Sequence, residues 1–234
     1  MTWLLVALPV LIISGFMALL QLRRADLAHR RTHLEQTALH VDALSLRDVL
    51  ELKGTEEDLG QPSYLSVKRE LMSVCRATAG CRFAYLMRRP PGAQPTFLVD
   101  SEPDGAPDNS PPGQEYPEAS PDMQHVFDTR TAGTDGPFAD RWGTWVTALA
   151  PLPEVASERH GSLVVLGLDI AADTWNRDLA LSLVPLGGFT VVLLLLLVPG
   201  TLLIAARRRE GRQTTTLEVG ITFCIGLLCT LGSV

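Results

Sequence analysis

The chain has 234 residues, is 46% hydrophobic and carries a formal charge of −6, which suits one domain of ordinary size plus membrane segments. Twelve acidic residues stand against three arginines between Asp100 and His160, so the polar part lacks the cationic face that nucleic acid binding requires. Common catalytic signatures are missing as well: no Gly-x-Ser-x-Gly, His-Glu-x-x-His, phosphate loop or paired Cys-x-x-Cys set occurs. No enzymatic activity, cofactor or metal is expected of this chain.

Trp3–Leu22 is an uncharged run of 20 residues, about 30 Å of helix at ~1.5 Å per residue, which matches a bilayer core. It lacks the basic start and small-x-small site of a cleaved signal peptide, so it reads as a retained anchor. Leu179–Ala206 contains the unbroken apolar stretch Val191–Val198 and is expected to be a second span. A third apolar run opens near Leu217 and includes Cys224 and Cys229; it reads as a span cut short, and the chain as a fragment of a receptor. Arg207, Arg208, Arg209 and Arg212 place the short segment 207–216 in the cytoplasm and residues 23–178 outside, although Arg23, Arg24, Arg30 and Arg31 vote the other way.

From Arg23 to Leu52 the spacing of Leu27, Leu34, Ala38, Val41 and Leu52 predicts an amphipathic helix, serving either as a dimer seam or as packing on the domain. Pro62 suits the first turn of a second helix, with Leu65, Met72, Cys75 and Ala79 as its inner stripe and Gly80 as its end. Strands Arg82–Arg88 and Thr96–Asp100 follow. Their alternation sets Phe83, Tyr85 and Met87 on one face of the first, and Phe97 and Val99 on one face of the second. Cys75 and Cys81 are placed to form a disulfide in an oxidising compartment or to remain two unpaired small apolar residues.

The proline-rich acidic loop Ser101–Gln114 is of a length usually reserved for lids or linkers. Ser120 with Pro121 starts a short helix whose buried side is Met123, Val126 and Phe127. A short edge strand is expected at Pro137–Asp140, then two longer strands, Trp142–Ala150 and Ser162–Ile170, and a helix from Asp173 into the second span. The last strand is apolar on both faces, which predicts an antiparallel α+β domain whose sheet is covered on both sides.

Taken as an ordered series, Asp58-Leu59 with Tyr64, Cys81–Leu86, Phe97–Pro103, Ser110–Tyr116, Gly136–Trp145 and Leu166–Asp169 resemble the extracytoplasmic PAS-like (Cache-type) sensor region of bacterial transmembrane receptors. The likeness covers about residues 23–178. It implies a PAS-like α+β fold, an antiparallel sheet with flanking helices held between transmembrane helices in the bacterial inner membrane. The sensor would face the periplasm or exterior, bind a small ligand, act as a homodimer and relay to a histidine kinase or diguanylate cyclase output, as in two-component systems. The domain plan that follows is residues 1–22 first span, 23–60 juxtamembrane helix, 61–178 sensor, 179–206 second span, 207–216 basic loop and 217–234 third apolar segment.

In such folds the ligand lies between the sheet and the long loop. That implies Tyr85, Asp100, Tyr116, Trp142, Trp145 and Asp169 as candidate ligand-binding residues, aromatic walls with a few polar groups. Core packing is the competing role for Tyr85, Trp142 and Trp145. Asp140 and Arg141 are expected to pair with each other. Asp100, Asp104 and Asp108 read as a solvated acidic lid rather than a divalent cation site, and His29 and His33 as a solvated surface pair. Two other classes compete with the sensor: an envelope enzyme with a carboxylate pair in one cleft, and a filled dimerisation module with no ligand.

Overall fold

A computed structural model describes residues 4–41, 44–152 and 162–209. The third apolar run, most of the basic loop and much of the connection Pro151–Gly161 lie outside the described residues, as do Cys224 and Cys229. Two compact units emerge, Leu27–Asp178 on the one hand and Met1–Asp26 with Leu179–Val234 on the other.

In the first unit, five strands form one antiparallel sheet: β1 (Cys81–Arg89), β2 (Thr96–Asp100), β3 (Gly133–Ala139), β4 (Thr144–Leu152) and β5 (Leu163–Ala171), in the order β2-β1-β5-β4-β3. The expected α+β class is present, with cover on both faces. One face packs on α2 (Leu46–Glu51) and α3 (Pro62–Ala77) through an aliphatic cluster that includes Val49, Leu52, Tyr64, Val67, Leu71, Leu86, Leu98, Leu166 and Leu168. The opposite face is aromatic, with Phe83, Tyr85, Phe97 and Tyr116 packed beside Met123, Val126 and Phe127 of α4 (Pro121–Thr129). Leu163 and Val165 point to the aromatic side and Val164, Leu166 and Leu168 to the aliphatic side, the strict alternation of a strand buried on both faces.

Several local expectations shift. The helix foreseen from Arg23 to Leu52 is two helices: α1 (Leu4–Val41) ends well before Leu52, and α2 starts afresh where the Ser45 hydroxyl accepts from Asp48 N. On α1 His33 and Thr37 are buried, whereas Leu27 and Ala38 are exposed. The inner stripe of α3 is Tyr64, Val67, Leu71 and Val74; Leu65 is exposed and Met72 half-buried. Spacings of three and four fit both stripes, and only packing on the sheet chooses between them. Phe97 joins the aromatic side but Val99 the aliphatic side, because the β1–β2 register slips between Leu86 and Met87 and a bulge breaks alternation there. The foreseen edge strand at Pro137–Asp140 is the end of the longer β3.

Cys75 and Cys81 are joined by a disulfide, with Cα atoms 5.3 Å apart, fixing the end of α3 to the start of β1. The caps of α4 are as the sequence suggested, with the Ser120 hydroxyl accepting from Met123 N at 3.0 Å and Pro121 in the first turn.

The second unit is helical. It contains the start of α1 and α6 (Val184–Arg209), which follows α5 (Ala172–Leu181). The helical segment Ala172–Leu203 is long and apolar enough to cross a membrane by length and composition. Leu11, Ile12, Ile13, Phe16, Val191, Val192, Leu195 and Leu203 are all exposed. Gln21 Nε2 donates to Ser182 O at 2.8 Å, while Thr190 and Thr201 donate back to Leu186 O and Val198 O within α6, so these hydroxyls need no water.

Candidate functional site

The aromatic face of the sheet is not completely filled. Three central strands supply its floor by simple alternation: Phe83 and Tyr85 from β1, Gly167 and Asp169 from β5, Trp145 and Thr147 from β4. The register makes Phe83 the cross-strand partner of Asp169, Tyr85 that of Gly167 and Thr147 that of Asp169. Above this floor lies a partly open cavity with about 360 Å3 of empty space, its solvent-open mouth included. All six residues singled out from the sequence line it, Tyr85, Asp100, Tyr116, Trp142, Trp145 and Asp169, together with Phe83, Phe97, Asp108, Ser110 and Asp140.

Two glycines make room for the rings. The Tyr85 ring lies directly across Gly167, where an added Cβ would meet it at 2.3 Å. Laid flat over β5, Tyr85 reaches two residues further and its hydroxyl donates to Asp169 Oδ1 at 3.2 Å. The Trp145 ring covers Gly143 in the same way, with a Cβ there meeting the indole at 2.5 Å. Trp145 is edge-on to Phe83 at 5.0 Å between centroids, and Phe97 is edge-on to both Tyr85 and Tyr116; such edge-to-face pairs favour fixed ring positions.

The loop between β2 and α4 forms the roof, and it is tied down. Its return strand runs beside β2, where Phe97 N donates to Gln114 O, Gly113 N to Phe97 O and Tyr116 N to Pro95 O. This covers the sheet edge and carries Tyr116 over the cavity, stacked with Trp142 at 6.1 Å. Asp100 holds the other end of the loop, accepting from Ser110 N, Glu102 N, Asn109 Nδ2 and, at 3.4 Å, Lys68 Nζ. Burial pushes its pKa up and the Ser110 bond and Lys68 charge pull it back.

Asp140 is saturated. Its Oδ1 accepts from Trp142 N, Gly143 N and Trp145 Nε1 and its Oδ2 from the Tyr116 hydroxyl, all between 2.9 and 3.0 Å. The foreseen Asp140–Arg141 pair does not form: Arg141 instead makes two 2.6 Å bonds to Glu118 and lies 4.9 Å over the Trp142 ring. A two-pronged guanidinium bond to a carboxylate outcompetes a carboxylate already filled by backbone donors. The acidic loop is paired as well. Asp104 meets Lys68 at 2.9 Å and the Tyr64 hydroxyl at 3.0 Å, and Asp108 meets Arg82 at 2.8 Å. Its three aspartates turn to different partners, and no cluster of metal-ligating groups occurs among the described residues.

Asp169 differs from the others. It is 6% exposed, and both of its donors, Thr147 Oγ1 at 2.7 Å and Tyr85, fall on Oδ1. The described residues put no donor on Oδ2 and no cation beside the carboxylate. Burial raises its pKa to about 7, opposed by the Thr147 and Tyr85 bonds and reinforced by the negative charges of Asp140 and Asp135. It is the buried acid at the cavity floor. Tyr85 and Tyr116 are held far above the ordinary phenol range, first by burial and then by these carboxylates, so both stay hydroxyl donors.

Thr147, Gly167, Phe83 and Phe97 escaped the sequence-based list. Their signal was parity: each shares a sheet face with a residue that was chosen. His33 proves buried rather than solvated, with Nε2 3.0 Å from Leu168 O, next to the floor residue Asp169. Set against family models, curated proteins and solved structures, the chain matches none.

Proposed function

We propose that residues 27–178 form the sensory domain of a membrane receptor, facing the periplasm or exterior of a bacterial cell and binding a small ligand in the aromatic cavity. The observation that carries this reading is that the six residues chosen from the sequence line one cavity under a tied-down loop, the usual make-up of a small-molecule site. The Cys75–Cys81 disulfide supports an oxidising compartment. The exposed apolar surface of α1 and α6 and the length of Ala172–Leu203 support lipid anchoring. On this reading β5 runs directly into α5, and the ligand biases two states of the domain that the helices report to an output module. The PAS-like ancestry and action as a homodimer belong to the same proposal.

A second reading has one observation in its favour: Asp100, Asp140 and Asp169 all line the cavity, as an envelope enzyme with paired carboxylates would need. It is the weaker one, because four donors occupy Asp140 and four hold Asp100, which leaves Asp169 without an equal partner.

The test is topological. A reporter enzyme that matures only outside the cytoplasm, inserted at the exposed turn Gly105, is expected to be active. A reporter found folded and inactive in the cytosol overturns the proposal.

A further inference from the structure

We propose that the cavity takes a small organic cation, a protonated amine of a few heavy atoms, with its ammonium group on Asp169 Oδ2 and its carbon against the Tyr85, Phe83 and Trp145 rings. The inference rests on the ligand-sensing reading above and names the ligand class.

Three observations carry it. The first is sign. The lining holds four carboxylates and no lysine, arginine or histidine. Among the described residues ion pairs form only with the outer two, Lys68 at Asp100 and Arg82 at Asp108; Arg82 and Arg141 also lie over the Phe83 and Trp142 rings, and Asp169 has no cation partner. An anion entering there would meet repulsion and no donor of opposite charge. The second is the open acceptor. Asp169 is buried and half satisfied, with Oδ1 taken by Thr147 and Tyr85 and Oδ2 left to the cavity. A buried carboxylate with an empty acceptor oxygen is costly unless something donates to it, and an ammonium supplies both donor and charge. The third is the wall: aromatic faces attract organic cations and suit the carbon they carry, whereas a hard cation such as calcium needs several oxygen ligands, and of the inner pair Asp140 and Asp169 only Asp169 Oδ2 is unengaged.

A zwitterion such as an amino acid fits less well, since no cation on the lining would meet its carboxylate. The space also limits the ligand. The cavity's empty space of about 360 Å3, with the solvent-open mouth included, suits a small molecule.

The experiment uses the full chain in lipid nanodiscs at about pH 8, titrated calorimetrically with ethylammonium chloride, sodium acetate or ethanol while tryptophan emission is followed. Ethylammonium is expected to bind saturably and acetate not at all. Asp169→Asn is the companion variant. Its Oδ1 still accepts from Thr147 and Tyr85, but its amide turns two hydrogens toward the cavity, so ethylammonium should bind at least tenfold more weakly while the protein still melts cooperatively. Acetate or ethanol binding in place of ethylammonium overturns the cation assignment and leaves the ligand-sensing reading standing. Equal ethylammonium binding by wild type and Asp169→Asn overturns the site. No heat and no change in emission with any of the three solutes overturns both the assignment and the reading on which it rests.

Discussion

The two faces of the sheet are built from the same strands yet serve opposite ends. On the α3 side the side chains are mainly aliphatic and interdigitate fully, with Tyr64, Val67, Leu71, Leu86, Leu166 and Leu168 at 0% exposure. The opposite side carries rings, four carboxylates and two glycines under rings, and it encloses a cavity. Alternation along β5 separates the two within one strand: Leu166 and Leu168 on the filled side, Gly167 and Asp169 on the lined side. A packed face holds the fold, and a lined face gives up packing for shaped space. Substitutions on the filled face should therefore change stability alone, and those on the lined face binding as well.

The largest effect expected is on the filled face. Leu71→Ala removes a fully buried side chain and should cost about 2–5 kcal/mol, since the cavity left behind adds to the lost transfer energy. Chemical denaturation measures it, and ligand affinity of the folded fraction should not move. A parallel loss of affinity would break the division between the faces.

On the lined face a substitution should stabilise. Asp169 is neutral more readily in the folded chain, with a pKa of about 7 against an unfolded value of about 3.9. Its contribution is fully present below the unfolded value and is lost as pH rises through about 7, at most about 4 kcal/mol for a shift of this size. Asp169→Asn removes that loss. The variant should exceed wild type in melting temperature at about pH 8, and the gap should shrink as pH is lowered toward about 4. A constant gap across that range would mean Asp169 is not the buried, uncompensated acid described above.

Gly167→Ala comes next. Its Cβ collides with the Tyr85 ring, an overpacking cost of about 1–3 kcal/mol, and it should also lift the Tyr85 hydroxyl off Asp169. Pairing it with Tyr85→Ala in a double-mutant cycle should recover part of the loss, because the clash then has no second partner. Additive effects would show that the ring does not lie across the glycine.

The sequence made the architecture readable where periodicity was unambiguous. β5 alternates with long apolar residues, and Ser120-Pro121 carries its own capping chemistry, so both were legible. Where two stripes fitted equally well, as on α3, the choice was made by the sheet and lay outside the helix itself. The Phe97/Val99 assignment failed because a bulge changes parity without changing composition. At the site, the bulky aromatics and lone acids announced themselves, whereas Thr147 and Gly167 did not: a hydroxyl that fills one lone pair and a glycine that admits a ring have no signature until the register of three strands is known. The Arg141–Glu118 clasp joins residues far apart in the chain, and local reading paired Arg141 with its neighbour instead.

The smallest effect concerns α1, which reaches β5 through His33. His33 of α1 is buried, its Nε2 proton bound to Leu168 O, while Nδ1 has no partner among the described residues. Burial lowers its pKa, and the Leu168 bond opposes that. The folded chain thus prefers neutral His33, so this stabilisation is whole above the unfolded value of about 6.5 and is lost as pH falls below it. His33→Leu should cost about 1 kcal/mol near neutrality, the net worth of the hydrogen bond, and should flatten the acid side of the stability profile. Since Leu168 adjoins Asp169, the same variant reports on the line from cavity floor to α1: ethylammonium binding should persist, while any ligand-induced change in α1, read by a spin label on exposed Leu27, should weaken. An unchanged acid limb would place the titration elsewhere, and an undiminished α1 response would show that the floor speaks to the membrane through α5 rather than through His33.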